Sequence, residues 1–479
     1  MILKKAAILL LATTIIVLTN LEGQTKAATN QPTKVQDASL ALTIYHNGAL
    51  FEHKAVIPVK NGQNHIAFEN VCPEIIPGSV FIKAPDGLLE SYLYLYTPPT
   101  TKTLLQTFKG KEVFLKNQEK SCNKGMKTAA MLLSYNGNKA VIKTDQGIFE
   151  TEVSKIVFPS LPENLSLVPQ IQATLFFQKM GQAPLELLYL SNKLGWQANY
   201  TGLLSQDENS IEIQAFARLQ NYSQMKINRA GVRLIAGNVR FGRGRDLPVP
   251  RMFEAKALAA SPAPLPEEPS RQELFEYHLY EIPQVIDLAP LGAKNIRLFD
   301  AGSLPCKKKL VLQSGSFYYY RSVDRSQKTL HPDVILEVDT KDKNLPFPAG
   351  NFRIYKTDSK NVPIFVGQQR IRSVASGEKI VLNLGKAFDI TARKKQLTFN
   401  RIKTDSRYKY SYSSSYEIKI HNSKDRPVTI FVIEEIPGQW SITDENIPHI
   451  REDVRHSVWK MEIPASATKI LRYSVRVID

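Results

Sequence analysis

Cysteine is scarce in this sequence of 479 residues, which contains only Cys72, Cys122 and Cys306. These positions are too far apart for the closely spaced cysteines of a structural zinc site. In an oxidising compartment, three cysteines allow one disulfide bond and leave one thiol over. We therefore expect at least one buried free cysteine and no cysteine-based metal site.

Long apolar runs are missing as well. Ala6 to Leu18 is apolar apart from its threonines, but it is shorter than the roughly 20 residues that a membrane-spanning helix needs. Because Lys4 and Lys5 precede this run, it predicts a signal peptide over residues 1–23, with an uncleaved anchor as the alternative. We expect an exported protein, periplasmic or at the cell surface, with no transmembrane segment after the signal peptide.

The common catalytic motifs are absent too. The sequence contains no His-Glu-x-x-His zinc motif, no Gly-x-Ser-x-Gly elbow and no glycine-rich lysine loop for phosphate. Its eight histidines are spread singly along the chain. The sequence therefore predicts no enzyme, with no catalytic residue, no cofactor and no metal ion.

Acidic residues are fewer than basic ones. The chain has 62 lysines and arginines against 45 acidic residues, a formal net charge of +17. A basic excess of this size attracts anionic partners. In an exported protein those partners would be acidic polysaccharide, lipid headgroups or teichoic-type polymers, not nucleic acid. Dense basic runs occur only at residues 307–309 and 393–395.

Short segments rich in Val, Ile, Tyr, Phe and Thr fill most of the chain, and long amphipathic helices are nearly absent. The alternation over Ile211 to Ala217 predicts a half-buried strand. Asn61 and Gly62 predict the turn of a β-hairpin, because both tolerate a positive φ. We predict an all-β protein with several antiparallel β-sandwich or small-barrel domains and an immunoglobulin-like C-terminal region.

Turn residues and prolines divide the predicted strands into domains. The prediction is a linker over 24–38, a small β-sandwich over 39–98, an SH3-like small barrel over 104–160, a central β domain over 161–325 and an immunoglobulin-like sandwich over 326–479. A proline-rich stretch over 240–271 interrupts the central domain. Because such a composition buries little apolar surface, we interpret this stretch as a surface loop or a linker.

Several segments together resemble one bacterial family. They are Trp196–Tyr200, Glu276–Pro283, Lys294–Phe299, Pro348–Gly350 with Arg353–Tyr355, Leu384–Ile390 and Trp440–Ile442. The family that they resemble is called domain of unknown function 4139, and residues 40–96 are similar to its companion N-terminal domain.

This resemblance implies an exported, β-rich protein with no assigned chemistry and no catalytic residues to transfer. Longer members are labelled mucoidy inhibitors, which implies a link to extracellular polysaccharide. Those members carry a coiled coil between the two domains, where this chain has its SH3-like segment.

An aromatic stretch close to the first basic run forms the candidate binding site. Tyrosine rings offer flat apolar faces that stack on sugars, and lysines attract an anionic chain. The alternative is an ordinary strand or domain edge with solvated charges. The candidate binding residues are Lys307, Lys308, Lys309, Tyr318, Tyr319, Tyr320 and Arg321.

These observations favour an exported, non-catalytic envelope protein. It would be a multi-domain β scaffold or a binding protein for an envelope component, such as an anionic polysaccharide or lipid headgroups. Two alternatives stay open: a hydrolase acting on cell-wall or extracellular polymer, and a polyanion-binding module driven by net charge.

Overall fold

The computed structural model describes residues 32–35, 39–76, 78–116, 127–162, 165–239, 269–314, 319–323, 329–403 and 410–478. The predicted signal peptide, Cys122, Tyr318 and most of the proline-rich stretch lie outside these residues. Strands dominate the described residues, which confirms the all-β prediction. Within them no helix is long and apolar enough to cross a bilayer.

Thirteen strands and one α-helix precede residue 192 in the described part of the chain. They are β1 (Thr33–Val35), β2 (Ser39–Tyr45), β3 (Gly48–Val59), β4 (Gly62–Glu69), β5 (Phe81–Lys83), β6 (Gly87–Leu95), α1 (Thr101–Phe108), β7 (Glu112–Lys116), β8 (Lys127–Asn136), β9 (Lys139–Thr144), β10 (Gly147–Glu152), β11 (Ile156–Val157), β12 (Gln170–Phe177) and β13 (Gly181–Ser191).

The strands after residue 192 are on average longer. They are β14 (Leu194–Leu204), β15 (Ser210–Asn221), β16 (Ile227–Ala236), β17 (Ser270–Leu274), β18 (Tyr277–Leu288), β19 (Ala293–Ser314), β20 (Thr329–Leu330), β21 (Asp333–Val338), β22 (Gly350–Thr357), β23 (Pro363–Ile371), β24 (Ile380–Lys386), β25 (Ile390–Lys403), β26 (Tyr410–Asn422), β27 (Val428–Glu435), β28 (Gln439–Glu445), β29 (Ile450–Arg451), β30 (His456–Ile463) and β31 (Thr468–Ile478).

Backbone contacts group the described residues into two units. The first contains residues up to 41, residues 50–191 and residues 223–225, and the second contains residues 42–49, 192–222 and 226 onwards. In the first unit, one sheet has the strand order β1-β4-β12-β6. β1 lies within the stretch predicted to be a linker. These residues form a strand there because Val35 is buried and pairs with Phe68 of β4.

The turn predicted at Asn61 and Gly62 is present, but the predicted hairpin is wrong. Gly62 has a φ of +98°, yet β3 and β4 belong to different sheets. The side chain of Asn64 accepts a hydrogen bond from the backbone N–H of Lys60 and donates to the Lys60 carbonyl. These bonds occupy backbone groups that a hairpin ladder would use, so the chain turns from one sheet into the other.

A small five-stranded antiparallel sheet follows, with the order β10-β9-β8-β7-β11. Its apolar face packs with Leu105 and Phe108 of α1. The helix was not predicted; it begins after Thr100, whose hydroxyl accepts the backbone N–H of Thr103 as an N-cap. In the described residues these five strands form an open sheet, with β10 and β11 at its edges.

In the second unit, ten strands form one sheet and five form another. The larger has the order β23-β22-β14-β15-β19-β27-β30-β29, with β21 pairing β19 and β24 pairing β21. The smaller has the order β20-β25-β26-β31-β28. The alternation predicted for β15 is confirmed, since Ile211, Ile213, Ala215 and Ala217 are all fully buried.

The larger sheet is mixed, whereas the sequence predicted antiparallel sheets. β14 runs parallel to β22, and β19 runs parallel to β27. Parallel neighbours need a long connection, and both pairs join strands that are far apart in the chain. Strand alternation alone carries no information about such a partner.

One hydrophobic core lies between β25, β26 and β31 on one side and β27 and β30 on the other. Its largest fully buried side chains are aromatic: Trp459, Tyr319, Tyr416 and Tyr473. Tyr416 stacks on Tyr473 with a ring-centroid distance of 5.2 Å. Two sheets therefore share one core in this part of the chain.

Candidate functional site

The lysine run of the candidate binding site lies on β19, and the strand separates its three side chains. Successive residues of a strand point to opposite faces, so Lys308 lies on one face and Lys307 and Lys309 on the other. Lys307 is exposed, while Lys308 and Lys309 are half-buried. The three lysines therefore do not form one continuous patch.

Lys309 is paired within its own sheet. Its Nζ donates a hydrogen bond of 2.6 Å to Oε1 of Glu337 on β21. The same Nζ lies 5.7 Å from the ring centroid of Phe431 on β27. Glu337 thus offsets much of the charge that Lys309 would offer to a ligand.

Lys308 instead belongs to a cluster of charges on the other face. Its Nζ donates to Oε2 of Glu208, and Lys356 Nζ on β22 donates to Oε1 of the same carboxylate at 2.5 Å. The side chains of Lys308, Lys356 and Glu208 are 31%, 29% and 22% exposed. One carboxylate therefore bridges two half-buried lysines that still reach solvent.

Glu208 is held by the turn between β14 and β15, where it has a φ of +62°. Asp207 fixes this turn by accepting the Ser205 hydroxyl at 2.6 Å and the Asn209 backbone N–H at 3.2 Å. The backbone N–H of Cys306 on β19 donates to the Asn209 carbonyl at 2.8 Å. The turn is thereby bonded to β19 two residues before Lys308.

Two further cations come from the turn between β26 and β27. Asn422 holds this turn, because its side chain donates to the Arg426 carbonyl at 2.9 Å and accepts the Lys424 backbone N–H at 3.1 Å. Arg426 is exposed and Lys424 is half-buried. We call Glu208, Lys308, Lys356, Lys424 and Arg426 the Glu208 cluster.

The charges of this cluster change the titration of Lys308. Burial, together with the positive charges of Arg426, Lys424 and Lys356, lowers the pKa of Lys308 from 10.5 to about 8. Lys308 and Lys356 contact the one carboxylate of Glu208, and Lys424 and Arg426 lie close enough to Lys308 to repel its charge. The exposed Asp207 and Asp425 lie on the same two turns. An anionic group placed here would relieve the repulsion among the lysines.

The aromatic half of the candidate binding site is divided between core and surface. Tyr319 is fully buried and Tyr320 is 37% exposed, with its ring edge-on to Tyr412 at 5.7 Å. Arg321 is exposed, and its carbonyl accepts a hydrogen bond from Gln396. Tyr319 has no face open to a sugar, so only Tyr320 and Arg321 of the described aromatic stretch are in a position to contact one.

Tyr319 takes part in a buried polar cluster. Its hydroxyl donates to Oε2 of Glu434 at 2.8 Å and lies 2.9 Å from the hydroxyl of Tyr473. Lys394 Nζ contacts the same Glu434 oxygen at 2.7 Å. Burial raises the pKa of Tyr319 and of Tyr473 well above 10, so both hydroxyls keep their protons.

Sequence reasoning missed most members of both clusters. Glu208 lies 100 residues from Lys308 and 148 from Lys356, and no local pattern joins them. Lys394 did carry a detectable pattern, because Ile390 and Ala392 precede it on the same buried face of β25. An alternating strand that places a lysine at an inward position predicts a buried charge, whereas the basic run over 393–395 suggests a solvated one.

The described residues contain no group of three histidine, cysteine, aspartate or glutamate side chains placed to hold a metal ion. Cys72 is buried with a free thiol, as predicted for at least one cysteine. Comparison of the sequence with protein-family models gave no match. Comparison with curated proteins gave none either.

Proposed function

We propose that this chain is an exported, non-catalytic β protein of the cell envelope that binds an anionic polymer through the Glu208 cluster. The bound group would be a phosphate or carboxylate of an acidic polysaccharide, a lipid headgroup or a teichoic-type polymer. A scaffold role in surface architecture is compatible with this binding, because the chain contains several sheets and only one of them carries Lys308 and Lys356.

The grouping of Lys356, Lys424 and Arg426 around Lys308 carries the proposal. Lys308, Lys356, Lys424 and Arg426 come from three separate parts of the second unit. Glu208 binds the first two, and the last two share one turn that Asn422 holds. Clustering like charges costs free energy in the unliganded protein. An anion recovers that free energy, and an arginine beside lysines supplies the planar donor pair that carboxylate and phosphate groups accept.

The net charge of +17 supports the same proposal at longer range. It raises the local concentration of an anionic polymer around the molecule, while the Glu208 cluster supplies a defined contact. The resemblance to the domain of unknown function 4139 family stays a prediction, and with it the link to extracellular polysaccharide. That link would make an acidic exopolysaccharide the first ligand to try.

Retention of the protein on immobilised acidic exopolysaccharide, measured across a salt series, tests the proposal. Retention should fall between 0.1 M and 1 M salt, because the Debye length shrinks from about 10 Å to about 3 Å. Arg426→Glu should weaken binding by about fivefold or more at 0.1 M salt, since reversing one contact charge costs about 1 kcal/mol.

Lys307→Glu is the matched control, because it makes the same change of charge at an exposed residue on the opposite face of β19. It should bind nearly as well as the parent protein. Equal weakening by both variants would show that net charge alone drives binding, and the proposal for the Glu208 cluster would fail. Shortening of the polymer during the assay would favour the hydrolase alternative.

A further inference from the structure

An ion pair lies inside the aromatic core of the second unit. Lys394 Nζ on β25 contacts Glu434 Oε2 on β27 at 2.7 Å, and the two side chains are only 4% and 1% exposed. In the other ion pairs of the described residues, at least one side chain is one-fifth exposed or more. The two strands belong to different sheets, so this pair joins the two layers of the core.

Aromatic rings surround the pair. Lys394 Nζ lies 4.7 Å from the ring centroid of Tyr416 and 5.2 Å from that of Tyr319. Removing two charges from water costs several kcal/mol for each ion, and an apolar pair of similar size is often as stable or more stable. Stability alone is therefore a weak explanation for an ion pair in this core.

We propose that Lys394 and Glu434 react with each other to form an intramolecular amide bond between their side chains. An amine and a carboxyl group held in contact, with water excluded, have the effective concentration that an uncatalysed condensation lacks in solution. The product would be a covalent cross-link between β25 and β27, and it is independent of the proposed binding function.

The reaction balances without an outside reagent. A proton passes from the Lys394 ammonium to the Glu434 carboxylate along their hydrogen bond, which leaves a neutral amine and a carboxylic acid. The Nζ lone pair then attacks Cδ, the bond from Cδ to the protonated oxygen breaks, and that hydroxyl leaves with a second Nζ proton as water. One Nζ–Cδ bond has formed, and no electrons have been gained or lost overall.

The surroundings favour each part of this step. Burial lowers the pKa of Lys394, which favours the neutral amine. The Tyr319 hydroxyl donates to Glu434 at 2.8 Å, and the hydroxyl of Tyr473 lies beside it. The Tyr319 hydroxyl therefore lies at Oε2, the oxygen that leaves, and is placed to donate to it as its bond to Cδ breaks.

The exposed pairs explain why the bond would be confined to this position. Lys308 and Lys356 also contact a glutamate, but their side chains are about one-third exposed. Water has access to these side chains, so it solvates them and opposes a condensation that releases water. Only the pair of Lys394 and Glu434 combines contact with exclusion of water in the described residues.

Mass spectrometry of the full-length folded protein tests the proposal. The parent protein, kept at neutral pH for several days, should lose the mass of one water molecule. Proteolysis should give a branched peptide that joins the segments around Lys394 and Glu434. Lys394→Arg should show neither change, because a guanidinium stays charged and is not acylated under these conditions.

A second variant guards against misfolding. Lys394→Met combined with Glu434→Leu replaces the pair by apolar side chains of similar size, a change that buried ion pairs often tolerate. It should fold and keep the mass expected for unlinked side chains. If the folded parent protein yields two separate linear peptides for these segments and loses no water, the cross-link does not form.

Discussion

Lys394 and Lys308 are both lysines on strands of the second unit, but their side chains differ in exposure. The side chain of Lys394 is 4% exposed and contacts a glutamate between buried tyrosines. The side chain of Lys308 is 31% exposed and contacts a glutamate near other cations. Burial lowers the pKa of each. The first lysine can therefore react only with its neighbour, while the second stays open to a ligand.

His53 in the first unit gives a prediction for the pH dependence of stability. Burial lowers its pKa from 6.5 to about 4, and its Nε2 lies 3.2 Å from the hydroxyl of the buried Tyr189. Between these pKa values the unfolded chain binds a proton that the folded protein does not. Its contribution to stability is therefore complete above pH 6.5 and decreases as the pH falls towards 4, by about 3 kcal/mol in total.

Denaturant unfolding at a series of pH values checks this contribution. Carboxyl groups also titrate below pH 5, so the useful quantity is the difference between the parent protein and His53→Gln. Glutamine keeps a hydrogen-bonding group but does not titrate, so the variant should lose less stability than the parent between pH 6.5 and pH 4. Parallel curves for the two proteins would contradict the assignment.

At the scale of elements, Gly350 at the start of β22 allows the close approach of this strand to β14, its parallel neighbour. A Cβ atom at this position would lie 2.2 Å from the carbonyl oxygen of Ala198, the residue opposite it in the register. Gly350→Ala should therefore lower the free energy of unfolding by about 1–3 kcal/mol, the usual cost of overpacking. Chemical denaturation measures this loss.

Gly231→Ala is the matched control for this prediction. Gly231 also lies in a strand, β16, but a Cβ atom there would meet no atom within 4 Å. Its substitution should leave stability unchanged or raise it by about 0.5 kcal/mol, since alanine loses less backbone entropy on folding than glycine does. Similar losses in the two variants would show that the close approach at Ala198 is not the cause.

Much of the strand content could be predicted from the sequence, because alternation and turn residues act locally. β15 shows this, with four inward residues fully buried as their spacing indicated. Pairing between distant strands could not be predicted, since β14 finds its parallel neighbour far along the chain. The turn at Gly62 shows the same limit: its conformation was predictable, but the sheet that receives β4 was not.

The candidate site was predictable only in part for the same reason. Lys308 was identified from its run of lysines, but Glu208, Lys356, Lys424 and Arg426 come to it from three other parts of the fold. Tyr319 was identified as an aromatic residue, but nothing in the local sequence indicated that it is buried. Its burial follows from Glu434 and Tyr473, more than 100 residues further along the chain.

At the scale of the whole molecule, export is the prediction that the proposed function depends on. Lys4 and Lys5 followed by the apolar run Ala6 to Leu18 predict cleavage near Gly23. Mass spectrometry of the protein purified from its native host should find a mature N-terminus between Gln24 and Thr29. Recovery of intact protein beginning at Met1 in the cytoplasmic fraction would contradict export, and an envelope ligand would then be out of reach.

The parallel pairing of β14 with β22 affects how soon the chain can fold. The hydroxyl of Tyr200 on β14 donates a hydrogen bond to the carbonyl of Pro348, which lies 148 residues further along the chain. Such a contact closes a very long loop before it gains any packing free energy, and folds dominated by such contacts are slow to form. During synthesis at about 5–20 residues per second, β14 emerges well before β22. The edge of β14 that pairs with β22 therefore stays unpaired for many seconds. A chain with this topology stays partly unfolded while it is being synthesised, which is the state that the predicted export would require.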